Sequence, residues 1–464
     1  MGVERRDGRE VEGAQSTETE ATGARVPPTR PAKPAPEMPA QWAWVEPTVW
    51  TSRMLAALET GVKGGKWFSL IDKVYALPTL RAAFAKVKAN AGAAGVDRQT
   101  IEMFERHLEA NLQKLSAELR TGQYRPRPVR RRWIPKPGKP GEKRPLGIPT
   151  VRDRVAQAAV RHVIEPIYEK EFAAHSYGFR PQRGCKDALR RVSELLRQGY
   201  TWVVDADLKS YFDTIPHQPL MERVRQKVSD GRVLDLIRAY LDQPIWDELT
   251  QWTPEGGTPQ GAVLSPLLSN IYLDPLDHQM AAAGYAMVRY ADDFVILCRR
   301  EVDAQGALEQ VQQWVTAVGL QLHPQKTRIA DATGDHGFEF LGYHFKGGQR
   351  FPRRKSRHTL RETLRSKTKR TKGHSLKVII ENVNRTLHGW YEYFQHAHRN
   401  SFPEIDSWVR MRLRSLLRKR RGRRGRGRGR DHQRWPNAYF AQHGLYSLTT
   451  AHAQRVSALS QVNH

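Results

Sequence analysis

The sequence predicts an α+β fold: an antiparallel sheet domain dressed with helices, followed by an α-helical domain. Three observations carry this. Short apolar runs at 202–204, 287–290 and 294–298 alternate with helical stretches. From Ser375 onward the apolar residues recur at helical spacing and no strand pattern returns. The chain of 464 residues is also too long for one core, so two or three domains are expected.

Taken in order, residues 1–45 carry Pro, Ala, Thr and Glu with few large apolar side chains and read as a disordered tail. Trp42, Trp44 and Trp50 mark the first segment able to pack. Residues 46–123 form an N-terminal extension, with short helices over 70–77 and 80–87 split by Pro78, and a Gly-rich loop, GAAGVD, at 92–97. A helix follows over 99–120, where Ile101, Phe104, Leu108, Leu112, Leu115 and Leu119 recur every three or four residues. The sheet domain spans 124–350. It opens with extended pieces punctuated by Pro and Gly, which suggest hairpins, and continues into a helix over 151–164. Residues 351–421 are helical and basic, and 422–464 add a Gly/Arg stretch, read as flexible, and a C-terminal tail.

Charge narrows the function. Lys and Arg number 76 against 48 acids, a net charge of +28. Such a surface binds polyanions by releasing their counterions. The cations cluster at 125–144, 350–372 and 410–430, where the only acids are Glu142 and Glu362. One such run is ordinarily a solvated face; three fit a long nucleic acid lying across several domains. No apolar run is long enough to span a membrane, and the N-terminus lacks the apolar stretch of a secretory signal and is too acidic for a transit peptide. Cys185 and Cys298 alone supply neither a thiolate zinc cluster nor a disulfide framework, which implies a reducing, cytoplasmic setting.

Two acidic motifs carry chemistry. RYADDFVIL at 289–297 places Asp292 and Asp293 between two apolar strands. Paired carboxylates repel unless a cation lies between them, although Asp-Asp also suits an exposed hairpin turn. TWVVDADLKSYFD at 201–213 puts Asp205 and Asp207 on one face of a strand end, where either could instead cap a helix. Each motif alone is ambiguous. Together in a basic chain they can converge on two Mg²⁺ ions roughly 3.5–4 Å apart, the arrangement of metal-assisted phosphoryl transfer.

These residues resemble the reverse transcriptases encoded by group II introns, from about Gly61 to Leu448. YADD at 290–293 and DADLKSYFD at 205–213 look like that family's catalytic motifs, which implies Asp207, Asp292 and Asp293 as ligands of two Mg²⁺ ions, with Asp205 supporting and Asp213 structural. NAGAAGVDRQTIEMF, SYGFRPQRGCKDAL, TPQGAVLSPLLSNIYL, GLQLHPQKT and FEFLGYHF follow in the family's order. The implied fold is a right-hand polymerase with fingers, palm and a helical thumb, or maturase, domain. Arg130, Lys136 and Arg144 match residues that grip the incoming dNTP, although PGKPGEK stretches the spacing to Arg144. Gln260 would lie beside the new base pair. Phe212 would stand against the 2′-hydroxyl; its structural alternative is a core aromatic under the sheet.

The helix expected over 401–421 would turn Trp408 and Leu416 inward and its cations outward, making Arg410, Arg412, Arg414, Arg418, Lys419 and Arg420 candidates for RNA contact. The resemblance implies group II intron RNA, an RNA template and a DNA primer as partners, in the bacterial cytosol or nucleoid. Many relatives continue into a Cys-rich DNA endonuclease; with no Cys after Cys298, that domain is not expected here. Two alternatives stay open on sequence: a reverse transcriptase domesticated for DNA repair or phage defence, and an RNA-binding splicing factor without polymerase activity.

Overall fold

Alternation along four central strands decides the architecture. The computed structural model describes residues 40–135, 141–247, 250–371 and 373–462. The N-terminal helices are α1 (Ser52–Thr60), α2 (Ile71–Tyr75), α3 (Leu77–Asn90), α4 (Ile101–Glu105) and α5 (Leu108–Thr121). Then come β1 (Val129–Pro135), β2 (Lys143–Ile148), α6 (Val151–Glu169), α7 (Cys185–Arg197) and β3 (Trp202–Asp207). They lead to α8 (Tyr211–Thr214), α9 (His217–Arg225), α10 (Gly231–Leu241), β4 (Ile245–Asp247) and β5 (Thr250–Trp252). The chain continues through α11 (Ser265–Ala282), β6 (Ala286–Tyr290), β7 (Asp293–Cys298), α12 (Glu301–Ala317) and β8 (Arg328–Asp331). A last sheet of β9 (Phe338–Phe340), β10 (Tyr343–Lys346) and β11 (Gln349–Pro352) precedes the helices α13 (Arg354–Lys367), α14 (Leu376–Phe394), α15 (Pro403–Arg420), α16 (Arg430–Arg434), α17 (Asn437–Gln442) and α18 (Leu448–Val462).

The strands form three sheets, ordered β2-β1-β4-β5, β6-β7-β3-β8 and β11-β10-β9. In the second, pairing is antiparallel throughout. Its side chains alternate between two cores. Val204, Ala206, Met287, Phe294 and Ile296 join the first core with α6, α11 and α12, whereas Val203, Val288, Val295 and Leu297 join the second with α7, β9, β10, α14 and α15. Burial on both faces explains why β7 reads as an unbroken apolar run, FVILC.

The N-terminal extension does not form a body of its own. Trp50, Leu80, Phe104 and Leu115 lie in the first core with the sheet. Packing begins with the first of the tryptophans, inside the stretch read as tail up to residue 45: Trp42 and Val45 are buried and Trp42 Nε1 donates to Glu59 at 2.6 Å; residues 1–39 lie outside the described chain. Pro78 does not split a helix. The break falls at Ala76, whose extended ψ of 130° ends α2, and Pro78 sits in the first turn of α3, where its missing N–H costs nothing. α6 starts as predicted, with Thr150 Oγ1 accepting from the Asp153 amide at 3.1 Å. The Gly/Arg stretch read as flexible is laid against α15: the Gly427 amide donates to Ser415 Oγ at 3.0 Å, and Arg418 Nε donates to the Arg424 carbonyl at 2.8 Å. No helix among the described residues is long and apolar enough to cross a membrane.

Candidate active site

The β3–β7 register sets Asp207 directly opposite Asp293 and Asp205 opposite Val295. All three acids therefore project from the sheet face that packs the second core. Asp292 occupies the two-residue turn between Tyr290 and Asp293, which pair across β6 and β7. Ala291 takes the first turn position with φ 60°, the sign a type II′ hairpin demands there and one that an alanine resists.

A buried network holds that strained turn. Arg289 is fully buried and paired with buried Asp277, its Nε donating to Asp277 Oδ1 at 2.8 Å. Its Nη1 donates to the Ala291 carbonyl at 2.9 Å and to Asn270 Oδ1 at 3.0 Å. Asn270 Nδ2 in turn donates to the Gly178 carbonyl at 2.8 Å. A Cβ on Gly178 would lie 2.2 Å from the Ala291 nitrogen, so only glycine lets the 176–178 segment lie flush against the turn. Sequence reasoning singled out neither Arg289, Asp277, Asn270 nor Gly178 for this role. The available signal was a charged residue, Arg289, inside an otherwise apolar strand.

Electrostatically the site is short of positive charge. Asp293 is pushed up to about 7, first by burial and then by Asp205, Asp207 and Asp292. Burial also raises Asp292, with repulsion from Asp207 adding to it, and takes Asp205 up to about 6 against the opposing pull of Arg328. Lys326 answers part of this by pairing with the Asp207 carboxylate. The donors are all hard carboxylate oxygens in mutual repulsion, a set that suits a divalent cation of the Mg²⁺ class. The acids meet through the backbone rather than as a finished cage: no three Asp, Glu, His or Cys side chains among the described residues already converge on an ion.

The residues proposed for the nucleotide differ in their surroundings. Arg130, half-buried on β1, lines a pocket of about 180 Å³ with Gly95, Val96, Arg98 and Trp246, and its Nε has no hydrogen-bond partner. Arg144 is exposed on β2 opposite Ile134. Lys136 lies outside the described residues. Phe212 is half-buried, edge-on to Tyr211 and Phe179 at 5.5 and 6.2 Å between ring centroids. Its carbonyl accepts from the Thr258 amide at 2.6 Å, and the Gln260 carbonyl accepts from the Gly147 amide at 2.7 Å. The TPQG segment is thus strung between Phe212 and β2.

On α15 the expectation of outward cations needs correcting. Arg414 is 3% exposed and donates to the Trp435 carbonyl at 2.9 Å and to Asn437 Oδ1 at 2.8 Å. It ties α15 to the C-terminal helices, with its guanidinium turned into the protein. Arg418 pairs with Asp431 at 2.7 Å, Arg412 donates to the Thr368 carbonyl at 3.0 Å, and Arg420 donates to the His374 carbonyl. Lys419 is exposed and Arg410 half-exposed.

Residues 134–345 match the family model described as reverse transcriptase (RNA-dependent DNA polymerase), and residues 357–435 match the group II intron, maturase-specific domain. Protein YkfC of Escherichia coli is 36% identical over 288 residues, 54% of this chain and 74% of that protein. The chain belongs to the group II intron reverse transcriptase/maturase family. Its enzyme class is accordingly that of an RNA-directed DNA polymerase, and this class depends on divalent metal. Group II intron-encoded protein LtrA of Lactococcus lactis is 39% identical over 197 residues, 42% of this chain and 32% of that protein. The putative COX1/OXI3 intron 1 protein of Saccharomyces cerevisiae is 28% identical over 357 residues, 65% of this chain and 42% of that protein. The chain thus spans less than half the length of these last two relatives.

Proposed function

We propose that this reverse transcriptase/maturase extends a DNA primer on an RNA template by two-metal phosphoryl transfer, and holds group II intron RNA through its basic helical domain to support that intron's splicing and mobility. The observation that carries the reading is the register of Asp207 opposite Asp293 with Asp292 in the adjoining turn. Asp207, Asp292 and Asp293 would hold Mg²⁺. When bound, Mg²⁺ supplies a lowered pKa for the primer 3′-hydroxyl and neutralises charge on the triphosphate.

The protein's own contribution is positioning. Arg289 and Asp277 keep the turn in place, so Asp292 and Asp293 meet the substrate without rearranging the backbone. Lys326 shares Asp207 while the carboxylate awaits its other partners. Arg130, Lys136 and Arg144 on the fingers grip the triphosphate, Gln260 lies beside the nascent base pair, and Phe212 closes against the ribose 2′ position. Arg410 and Lys419 offer the exposed cations of α15 to intron RNA, with Arg412, Arg418 and Arg420 at its margin. A bacterial cytosol or nucleoid supplies all of these substrates.

Primer extension on an RNA template with dNTPs and Mg²⁺, run beside a splicing assay on the intron RNA, tests the reading. The wild type extends the primer; D292N/D293N loses extension while keeping RNA affinity and most of its splicing support. Loss of RNA affinity in that variant would mean that the carboxylates are structural.

A further inference from the structure

A basin of about 470 Å³ opens where α7, the β10–β11 hairpin and the segment after α14 meet, lined by Ser193, Arg197, Phe345, Arg350, His396 and His398 among others. Its cations are held in place. Arg350 Nε donates to the His396 carbonyl at 2.7 Å and its Nη1 to Ser193 Oγ at 3.0 Å. Arg197 Nε donates to the Ser193 carbonyl at 3.2 Å. From α18, Arg455 reaches His396 Nδ1 at 3.3 Å and also bonds Gln395.

Among the described residues, no acid lines the basin. Burial first, and then the cations Arg455, Arg350, Lys186 and Arg190, hold His396 down to about 4. Lys186 and Arg190 have acids of their own, Glu392 at 4.0 Å and Asp187 at 2.8 Å. Arg350 is left facing like charge from both Arg197, which lines the basin with it, and Arg455. Two guanidiniums on the wall of a concavity, with a third beside them at His396, repel, and an anion in the basin turns that repulsion into attraction. Guanidinium forks match phosphate oxygens, and the basin has room for a phosphodiester with its sugars.

The basin's Arg350 and the residue that acts on Asp205, Glu339, lie on opposite faces of the β9–β11 sheet. Phe345 pairs with Arg350 across the hairpin, on the face opposite His344 and Phe351. Glu339, which acts on Asp205, pairs with His344 and so shares the other face.

We propose that this basin binds a phosphate of the RNA backbone and serves as an RNA anchor outside the polymerising cleft. The proposal rests on the RNA-binding reading above. The test is fluorescence anisotropy of a labelled RNA hairpin titrated with the full chain across a salt series, comparing wild type, R197Q/R455Q and R197K/R455K. The Gln variant is expected to bind more weakly, with a log–log salt slope shallower by roughly one to two, as for one or two lost phosphate contacts. The Lys variant should recover most of the slope, and extension of a short annealed primer–template should be unchanged in both. If R455Q perturbs the fold by circular dichroism, R197Q alone, at an exposed position on α7, carries the comparison. Affinity and slope equal to wild type in a folded Gln variant would overturn the proposal. So would a basin that takes only free anion, seen as inorganic phosphate raising the melting temperature of wild type but not of R197Q/R455Q while RNA binding stays equal. Wild type that binds no RNA would sink the RNA-binding reading and this proposal together.

Discussion

At the scale of single residues, the turn that carries Asp292 and Asp293 is a strained element kept in place by a buried ion pair. Removing one partner leaves the other charge buried and unpaired, which typically costs about 3–5 kcal/mol. R289M is therefore expected to lower unfolding free energy by about that much in urea titrations, and R289M/D277L to recover a good part of it. A cost below 1 kcal/mol for R289M would mean that the pair does not support the turn. Phe212 makes a different kind of claim. Its ring is half-buried against Tyr211 and Phe179, and its backbone is tied to the segment holding Gln260, the other residue proposed for the nucleotide pocket. F212V should raise ribonucleotide incorporation relative to dNTP incorporation; unchanged discrimination would leave Phe212 as packing alone.

At the scale of elements, β3 and the β6–β7 hairpin were legible in the sequence because short apolar runs bounded by acids read as buried strands, and two of them in one basic chain point to a shared use. Their pairing register was not, since period-two patterns do not say which strand lies beside which. The network behind the turn was equally hidden. Arg289 meets a partner 12 residues away and reaches, through Asn270, a glycine 92 residues from that asparagine. α15 shows the converse error. Its basic composition suggested a uniform RNA-binding face, but a helix packed on several sides must turn some of its arginines inward, and Arg414 is one that found buried acceptors. The prediction separates these roles. R410Q/K419Q should weaken RNA binding and flatten its salt dependence with little change in stability, whereas R414Q should destabilise the fold by about 1–3 kcal/mol, the cost of orphaned buried acceptors. Equal effects on RNA binding from both variants would contradict this division.

At the scale of the whole molecule, one sheet serves as the wall between two cores, so both flanking regions bear on the acids it carries. α6, which packs in the first core, also carries a titration that should be visible in global stability. His162 borders a cleft of about 750 Å³, and burial pushes it down to about 4 from the ordinary 6.5. Between those values the unfolded chain binds the proton and the folded chain does not, so this contribution is complete above pH 6.5 and is lost as pH falls towards 4. Burial raises neighbouring Glu165, which works with the opposite sign, so the informative quantity is wild type minus H162Q. The stability loss on acidification should be smaller in H162Q; an identical loss would remove His162 from the account. The central claim remains the convergence of Asp207 on the 292–293 turn. Mn²⁺ binding, followed by electron paramagnetic resonance in the presence of primer–template and a non-hydrolysable dNTP, tests it without relying on turnover. The account predicts tight Mn²⁺ binding by wild type and its loss in both D207N and D293N with the fold intact; binding unchanged in D207N would place the metal elsewhere and contradict it.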